Sequence, residues 1–196
     1  MVSDRELILA ALLHDVGKLG QRAHRSGEGL GGEALGLAQM ICPSYQGHHT
    51  HRHVLYTAEF ILTHLGYLPP GVDRERLNRL AAWHHLPCDD ETGLIARADR
   101  LSSGMERESE DHCADGADRF RKVRLRAITN EIALAGREPA GGPWSVELNP
   151  LSPELGFAVS DDAPERDRTA EYKPLWDGLL REWNRNRVAD PWGYLN

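Results

Sequence analysis

The sequence predicts a mainly α-helical protein with a small mixed α/β appendage at its carboxyl-terminal end. Three observations carry that expectation. Between Asp4 and Glu106 the apolar residues recur at helical spacing in four successive segments, and nothing there alternates with period two. The stretch E-R-E-S-E-D-H-C-A-D-G-A-D, residues 106–118, is acidic and poor in apolar side chains, and reads as a linker or exposed turn. Beyond it come short extended segments broken by turn residues, then one more amphipathic stretch. The expected boundary divides a helical module, 1–107, from a linker and appendage, 108–196.

The first helix starts at about Asp4, because Ser3 and Glu6 form a capping box. Leu7, Ala10, Ala11 and His14 make its expected inner stripe, and Gly17 or Gly20 its expected end. Residues 22–36 are glycine-rich and read as a flexible loop. Gly27, Gly29 and Gly32 match a GxGxxG spacing, but no strand precedes them and Glu28 lies between them, so a dinucleotide site is rejected. The His-rich loop Y-Q-G-H-H-T-H-R-H leads into a second helix from about His53 to Leu65, which Gly66 and the Pro69–Pro70 pair stop. Asp73 caps a third, with Leu77, Leu80, Ala81 and His84 inward and Pro87 at its end. The fourth is expected from about Glu91 to Glu106, with Leu94, Ala98, Leu101 and Met105 inward.

In the appendage, five basic residues between Arg119 and Arg126 lie in a segment ambiguous between strand and helix. A solvated face or a subunit contact explains such a run more simply than a nucleic-acid groove. G-P-W-S-V-E-L-N-P-L-S-P-E-L-G-F-A-V-S reads as extended segments with turns. The last helix is expected to be capped by Thr169, with Pro174 in its first turns and Leu175, Leu179 and Trp183 on one side.

Composition sets outer bounds. Of 196 residues, 40% are hydrophobic and 27% charged, as in soluble globular proteins. No apolar run approaches the ~20 residues that span a bilayer. The amino-terminal stretch lacks a basic leader, so a cytoplasmic location without membrane attachment is expected. Cys42, Cys88 and Cys113 are scattered and read as free thiols. A net charge of −7 opposes sequence-independent binding to duplex phosphates, yet bound metal ions can invert the local charge of a site.

Four places in the helical module set ligand-type residues on or beside apolar stripes: His14–Asp15, His53, His84–His85 and Asp99. Adjacent helical residues point about 100° apart, so His14 and Asp15 can grip one ion from two directions. A buried carboxylate without a partner costs several kcal/mol, and a cation is one of the few groups that offsets this. Taken singly, His24, His48, His49, His51, His64 and His112 read as hydrogen-bonded core histidines or exposed ones. His85 stands on the flank of its stripe, between the two readings. For His14–Asp15 the simpler alternative is an ion pair or a helix cap; the Gly-Lys that follows and the other three places favour a metal.

H-D-x-G-K on a helix, a later His, a His-His pair and a final Asp resemble the HD phosphohydrolase superfamily, whose members are helical and bind one or two divalent metals. The ordered set A-L-L-H-D-V-G-K-L-G-Q-R-A, H-R-H-V-L-Y-T-A-E-F-I, A-A-W-H-H and I-A-R-A-D-R-L-S-S-G-M-E-R-E is similar to the amino-terminal HD domain of the large subunit of type III-A (Csm-type) CRISPR effector complexes. V-E-L-N-P-L-S-P-E-L-G-F and E-Y-K-P-L-W-D-G-L-L-R-E-W look like the segments leading into that subunit's first palm. Two departures stand out. No His precedes His14, and the chain contains neither a GGDD motif nor a four-cysteine zinc module, so a fragment of a larger subunit is expected and cyclic oligoadenylate synthesis is not expected within it.

The resemblance implies a metal-dependent phosphodiesterase acting on single-stranded DNA, with other CRISPR subunits and guide RNA as partners. His14, Asp15 and Asp99 would be central metal ligands, with His53, His84 and His85 completing a site for one or two ions. The mixed shell suits manganese, iron, cobalt or nickel better than an oxygen-only magnesium site. Lys18, one turn after His14, is a catalytic candidate for contacting a phosphate, or else a helix-end lysine. Ser102, Ser103 and Arg107 are expected to fix the Asp99 helix. Two alternatives remain: a nucleotide phosphohydrolase, and a catalytically silent assembly module that docks through the Arg119–Arg126 run.

Overall fold

In the computed structural model, which describes residues 2–102, 119–122, 144–145, 159–160 and 166–185, α1 (Asp4–Leu13) starts on the expected capping box. Glu6 N–H donates to Ser3 Oγ at 3.3 Å, and Ser3 N–H donates to Glu6 Oε2 at 2.9 Å. The inner face is Glu6, Leu9, Ala10 and Leu13, whereas Leu7 is half-buried and Ala11 exposed. The stripe is rotated because Glu6 is drawn inward. Its carboxylate also accepts Asp73 N–H at 3.2 Å and Arg76 Nη1 at 3.4 Å, joining the amino-terminal ends of α1 and α6 (Arg74–Ala82). Burial opposes its ionisation, but hydrogen bonds from Ser3 and Asp73 and the Arg76 charge outweigh burial and hold the carboxyl below its ordinary range. Glu6→Ala strands several of these donors and is expected to lower the unfolding free energy by about 2 kcal/mol in urea titrations. A loss under about 0.5 kcal/mol would contradict the role given to this joint.

Gly17 does not end the first helix; it begins the second. After a turn at 14–16, α2 (Gly17–Ala23) runs against α5 (His53–Glu59) and α9 (Thr169–Arg185). A Cβ on Gly17 would overlap His53 O and Thr57 N, and one on Gly20 would stand 3.2 Å from Trp176 and Tyr56. These glycines are contact points for close packing rather than stops. The glycine-rich stretch turns at Gly27 and Gly29, both at positive φ, then enters the short helices α3 (Gly32–Gly36) and α4 (Ala38–Ile41). The His-rich loop contains a hairpin, β1 (Ser44–Tyr45) against β2 (His48–His49). Its two-residue turn, Gln46–Gly47, has positive φ at both positions, the type I′ geometry that suits right-twisted strands.

All seven residues of α5 are buried because it lies between two clusters. Leu9, Leu13, Phe60, Ile61, Leu77, Leu80, Ile95 and Trp176 belong to one; Ile41, Val54, Leu55 and Ala58 belong to the other. The helix continues as a π turn over Phe60–His64. α6 begins with Asp73 Oδ1 accepting Arg76 N–H at 2.8 Å, the expected cap. α7 (Asp90–Ser102) turns a different face inward from the one expected: Thr92, Gly93, Ile95 and Ala96 are buried, while Ala98 is exposed and Leu94 and Leu101 are 46% and 75% exposed. Met105 lies outside the described residues. Apolar spacing alone fits both faces. The choice is made by packing on α6 and α1, with Arg79 of α6 pairing with Asp89 and Glu91 at the start of α7, where Asp89 Oδ1 also accepts from Thr92 N–H and Oγ1, both at 2.8 Å.

The described part of the basic run, α8 (Arg119–Lys122), is not a uniform solvated face. Arg121 is buried and donates to His24 O at 3.1 Å and Gln21 O at 3.3 Å, capping the last carbonyls of α2. The fully buried Arg168 donates to Lys122 O at 3.2 Å and pairs with Glu171 at 3.1 Å. α9 is capped by Asp167, whose Oδ1 accepts Thr169 N–H at 2.8 Å, rather than by Thr169 itself. Its inner face centres on Tyr172 and Trp176, with Leu179, Leu180 and Trp183 packed beside them. The expected extended segments include an antiparallel pair, β3 (Trp144–Ser145) with β4 (Val159–Ser160). Among the described residues no helix is long and apolar enough to cross a membrane.

Candidate metal centre

The turn between α1 and α2 carries His14 and Asp15, and one side chain of α5 holds it in place. The fully buried Thr57 donates its hydroxyl to His14 O at 2.9 Å and accepts Gly17 N–H at 3.1 Å. Thr57 lies one helical turn after His53 on the same face. The lock therefore sets the distance from Asp15 to His53.

Asp15 is the hub. Its Oδ1 lies 3.4 Å from His53 Nε2 and 3.8 Å from His84 Nε2. Its Oδ2 lies 3.5 Å from His14 Nε2 and 2.5 Å from Lys18 Nζ. His14 Nε2 is 3.4 Å from Asp99 Oδ1, which α7 brings in one turn beyond the buried Ile95. His85 and His53 face each other with Nε2 atoms 3.1 Å apart. The donor atoms gather in two groups, His53–His84–His85 and His14–Asp15–Asp99, each within 4.8 Å.

Two observations fit this donor set to cations. His14 Nδ1 donates to Ala11 O, and His84 Nδ1 to Ala81 O, both at 2.7 Å. A carbonyl only accepts, so each Nδ1 carries the proton and each Nε2 turns a lone pair toward the centre. Asp15 Oδ1 and His84 Nε2 are also buried without a hydrogen-bond partner. An unmade hydrogen bond of that kind is costly, and a cation placed among these atoms satisfies both.

The electrostatics agree. Burial opposes the Asp15 charge, but His53 and Lys18 outweigh it and hold the carboxyl far below its ordinary range, so it is ionised at neutral pH. Burial pushes His53 down, His84 down to about 4 and His85 down to about 2, so all three imidazoles are neutral at neutral pH. The His53–His84 side is buried, whereas the His14, Asp15 and Asp99 side chains are 20%, 31% and 24% exposed. The tri-histidine half is the more buried of the two.

The structure brings His14, Asp15, Lys18, His53, His84, His85 and Asp99 together. Other histidines stand apart. His24 stacks on Tyr56, His48 and His49 are exposed on the hairpin, and His64 lies 3.8 Å from Glu59. Ser102 is exposed, and Ser103, Arg107 and His112 lie outside the described residues. Sequence reasoning passed over two residues of this region. Thr57 has no sequence signal of its own beyond its position four residues after His53. His51 looked like part of an exposed run, yet its ring lies 4.1 Å from that of His85.

Thr57→Val keeps the shape and removes the lock, and is expected to weaken divalent-metal affinity about tenfold, while Thr57→Ser retains it. Equal affinities in calorimetric titrations of the two variants would contradict the lock.

Compared with known families, residues 2–122 match the one described as HD domain. No curated protein and no solved structure matches the chain.

Proposed function

Because this chain belongs to the HD domain family, whose members are metal-dependent phosphohydrolases, we propose that its centre is a divalent-metal phosphodiesterase site acting on single-stranded DNA. The observation that carries the hydrolytic reading is Asp15, which turns one carboxylate oxygen toward a tri-histidine group and the other toward His14 and Lys18. His14, Asp15 and Asp99, with His53, His84 and His85, would hold the divalent ions, which would supply Lewis acidity and an acidified water for attack at a phosphoryl group.

The chain's own residues prepare that chemistry. Asp15 stays charged, and His14 and His84 point fixed lone pairs inward. Lys18 sets an ammonium 2.5 Å from Asp15, where it meets a scissile phosphate by charge. The open His14–Asp15–Asp99 side suits a strand laid across the centre. The nucleic-acid substrate, and a place in a type III CRISPR large subunit beside guide RNA and partner subunits, are supported by the ordered motifs from Ala11 to Glu108 and not by geometry.

The test is cleavage of a labelled single-stranded oligonucleotide by metal-stripped protein resupplied with manganese, nickel, cobalt or magnesium, beside mononucleotide substrates. Metal-dependent cutting of the oligonucleotide is expected, and a His14→Ala, Asp15→Ala variant should lose it. Hydrolysis of mononucleotides alone would move the assignment to a nucleotide phosphohydrolase. Metal binding without either activity would favour the silent docking module. Charge reversal that probes docking should use Lys122 and spare Arg121, because Arg121 caps α2.

A further inference from the structure

We propose that His51 is the relay ligand through which a divalent transition-metal ion reaches the buried His53–His84–His85 group. The inference rests on the metal-centre reading above.

The backbone gives the first pointer. His51 has φ 53°, in the left-handed region, and precedes Arg52, the residue that leads into α5. A non-glycine residue held there is strained by about 1 kcal/mol or more, and such strain concentrates at functional sites. The second pointer is placement. His51 is exposed, its ring lies 4.1 Å from the half-buried His85 and 6.2 Å from the buried His53, and its Nδ1 stands 3.0 Å from Thr50 Oγ1. His85 Nε2 is in turn 3.1 Å from His53 Nε2. Imidazoles therefore run from solvent to the most buried nitrogens without a break.

The other approach stops short. An ion arriving from the His14 side meets the Asp15 and Asp99 oxygens first, and with His14 they form a donor group of their own that holds it before it reaches the tri-histidine group. Along the His51 route an aquated ion can exchange water for imidazole one step at a time, which favours ions with affinity for nitrogen, such as cobalt, nickel or zinc. A plausible site needs such a path as well as ligands.

The test is stopped-flow uptake of Co(II) by the metal-free full chain, followed by its d–d absorption, with release followed on chelator addition. His51→Asn and His51→Gly both tolerate the left-handed backbone, so the fold and the neighbouring ligands persist. Both variants are expected to take up and release Co(II) about tenfold more slowly, with stoichiometry and affinity at equilibrium unchanged. Unchanged rates would overturn the relay. Loss of a bound equivalent would also overturn it, since His51 would then be a permanent ligand. Failure of the unaltered protein to bind Co(II) would bring down the relay and the metal-centre reading together, a result separable from the other two.

Discussion

Asp15→Asn should abolish metal-dependent phosphodiester cleavage, with a fall of about a thousandfold or more in kcat/KM. The size follows from its position. Every other ligand candidate lies in one donor group, whereas Asp15 faces both, with Oδ1 3.4 Å from His53 and Oδ2 3.5 Å from His14. Asparagine keeps the shape but replaces a charged oxygen with an amide nitrogen that repels cations and donates hydrogen bonds. His85→Ala touches only the tri-histidine group and should leave ion binding by His14 and Asp99 in place. The contrast is measurable as bound metal per chain after dialysis. Equal residual activity in the two variants would show that Asp15 is not shared in the way described.

The second large effect concerns stability and pH in the metal-free protein. His84 is 2% exposed, and burial takes its pKa from 6.5 to about 4. Its folded value lies below its unfolded value, so between pH 6.5 and 4 the unfolded chain binds a proton that the folded chain refuses. Stability is therefore full above 6.5 and is lost as pH falls toward 4, by about 3 kcal/mol from His84 alone. His53 and His85, both shifted down by burial, act in the same direction. Asp15 acts at lower pH: its folded value is depressed, so its contribution is present above its ordinary value of 3.8 and disappears as acid protonates it below that. Urea midpoints measured with chelator from pH 7.5 to about 4.5 should fall steadily, and His84→Gln should flatten the slope. A flat profile in the unaltered protein would contradict the buried neutral imidazoles.

Much of the centre was legible because its chemistry conflicts with its surroundings. His14, Asp15, His53 and Asp99 stood out as polar groups on or beside apolar stripes, and helical period put His84 inward. Where two patterns were equally good, period failed. Leu94, Ala98 and Leu101 matched an inner stripe of α7 as well as Ile95 and Asp99 did, and only packing on α6 and α1 decides between them. Glycine was ambiguous for a similar reason. Gly17 reads as a stop in one dimension, but in three it is the absence of a Cβ that lets α2 lie on α5. Long-range contacts left no local trace at all. Nothing near Arg121 indicates the carbonyls of Gln21 and His24, about a hundred residues away. Nor does the sequence around Trp176 show that it packs on the helix that follows the His14–Asp15 turn.

The most direct measurement of the central claim is an anomalous difference map from crystals of the protein grown with manganese. Strong peaks beside Asp15, one against His14 and Asp99 and one against His53, His84 and His85, are the predicted result. Peaks elsewhere, or none at saturating manganese, would contradict a metal centre built on Asp15.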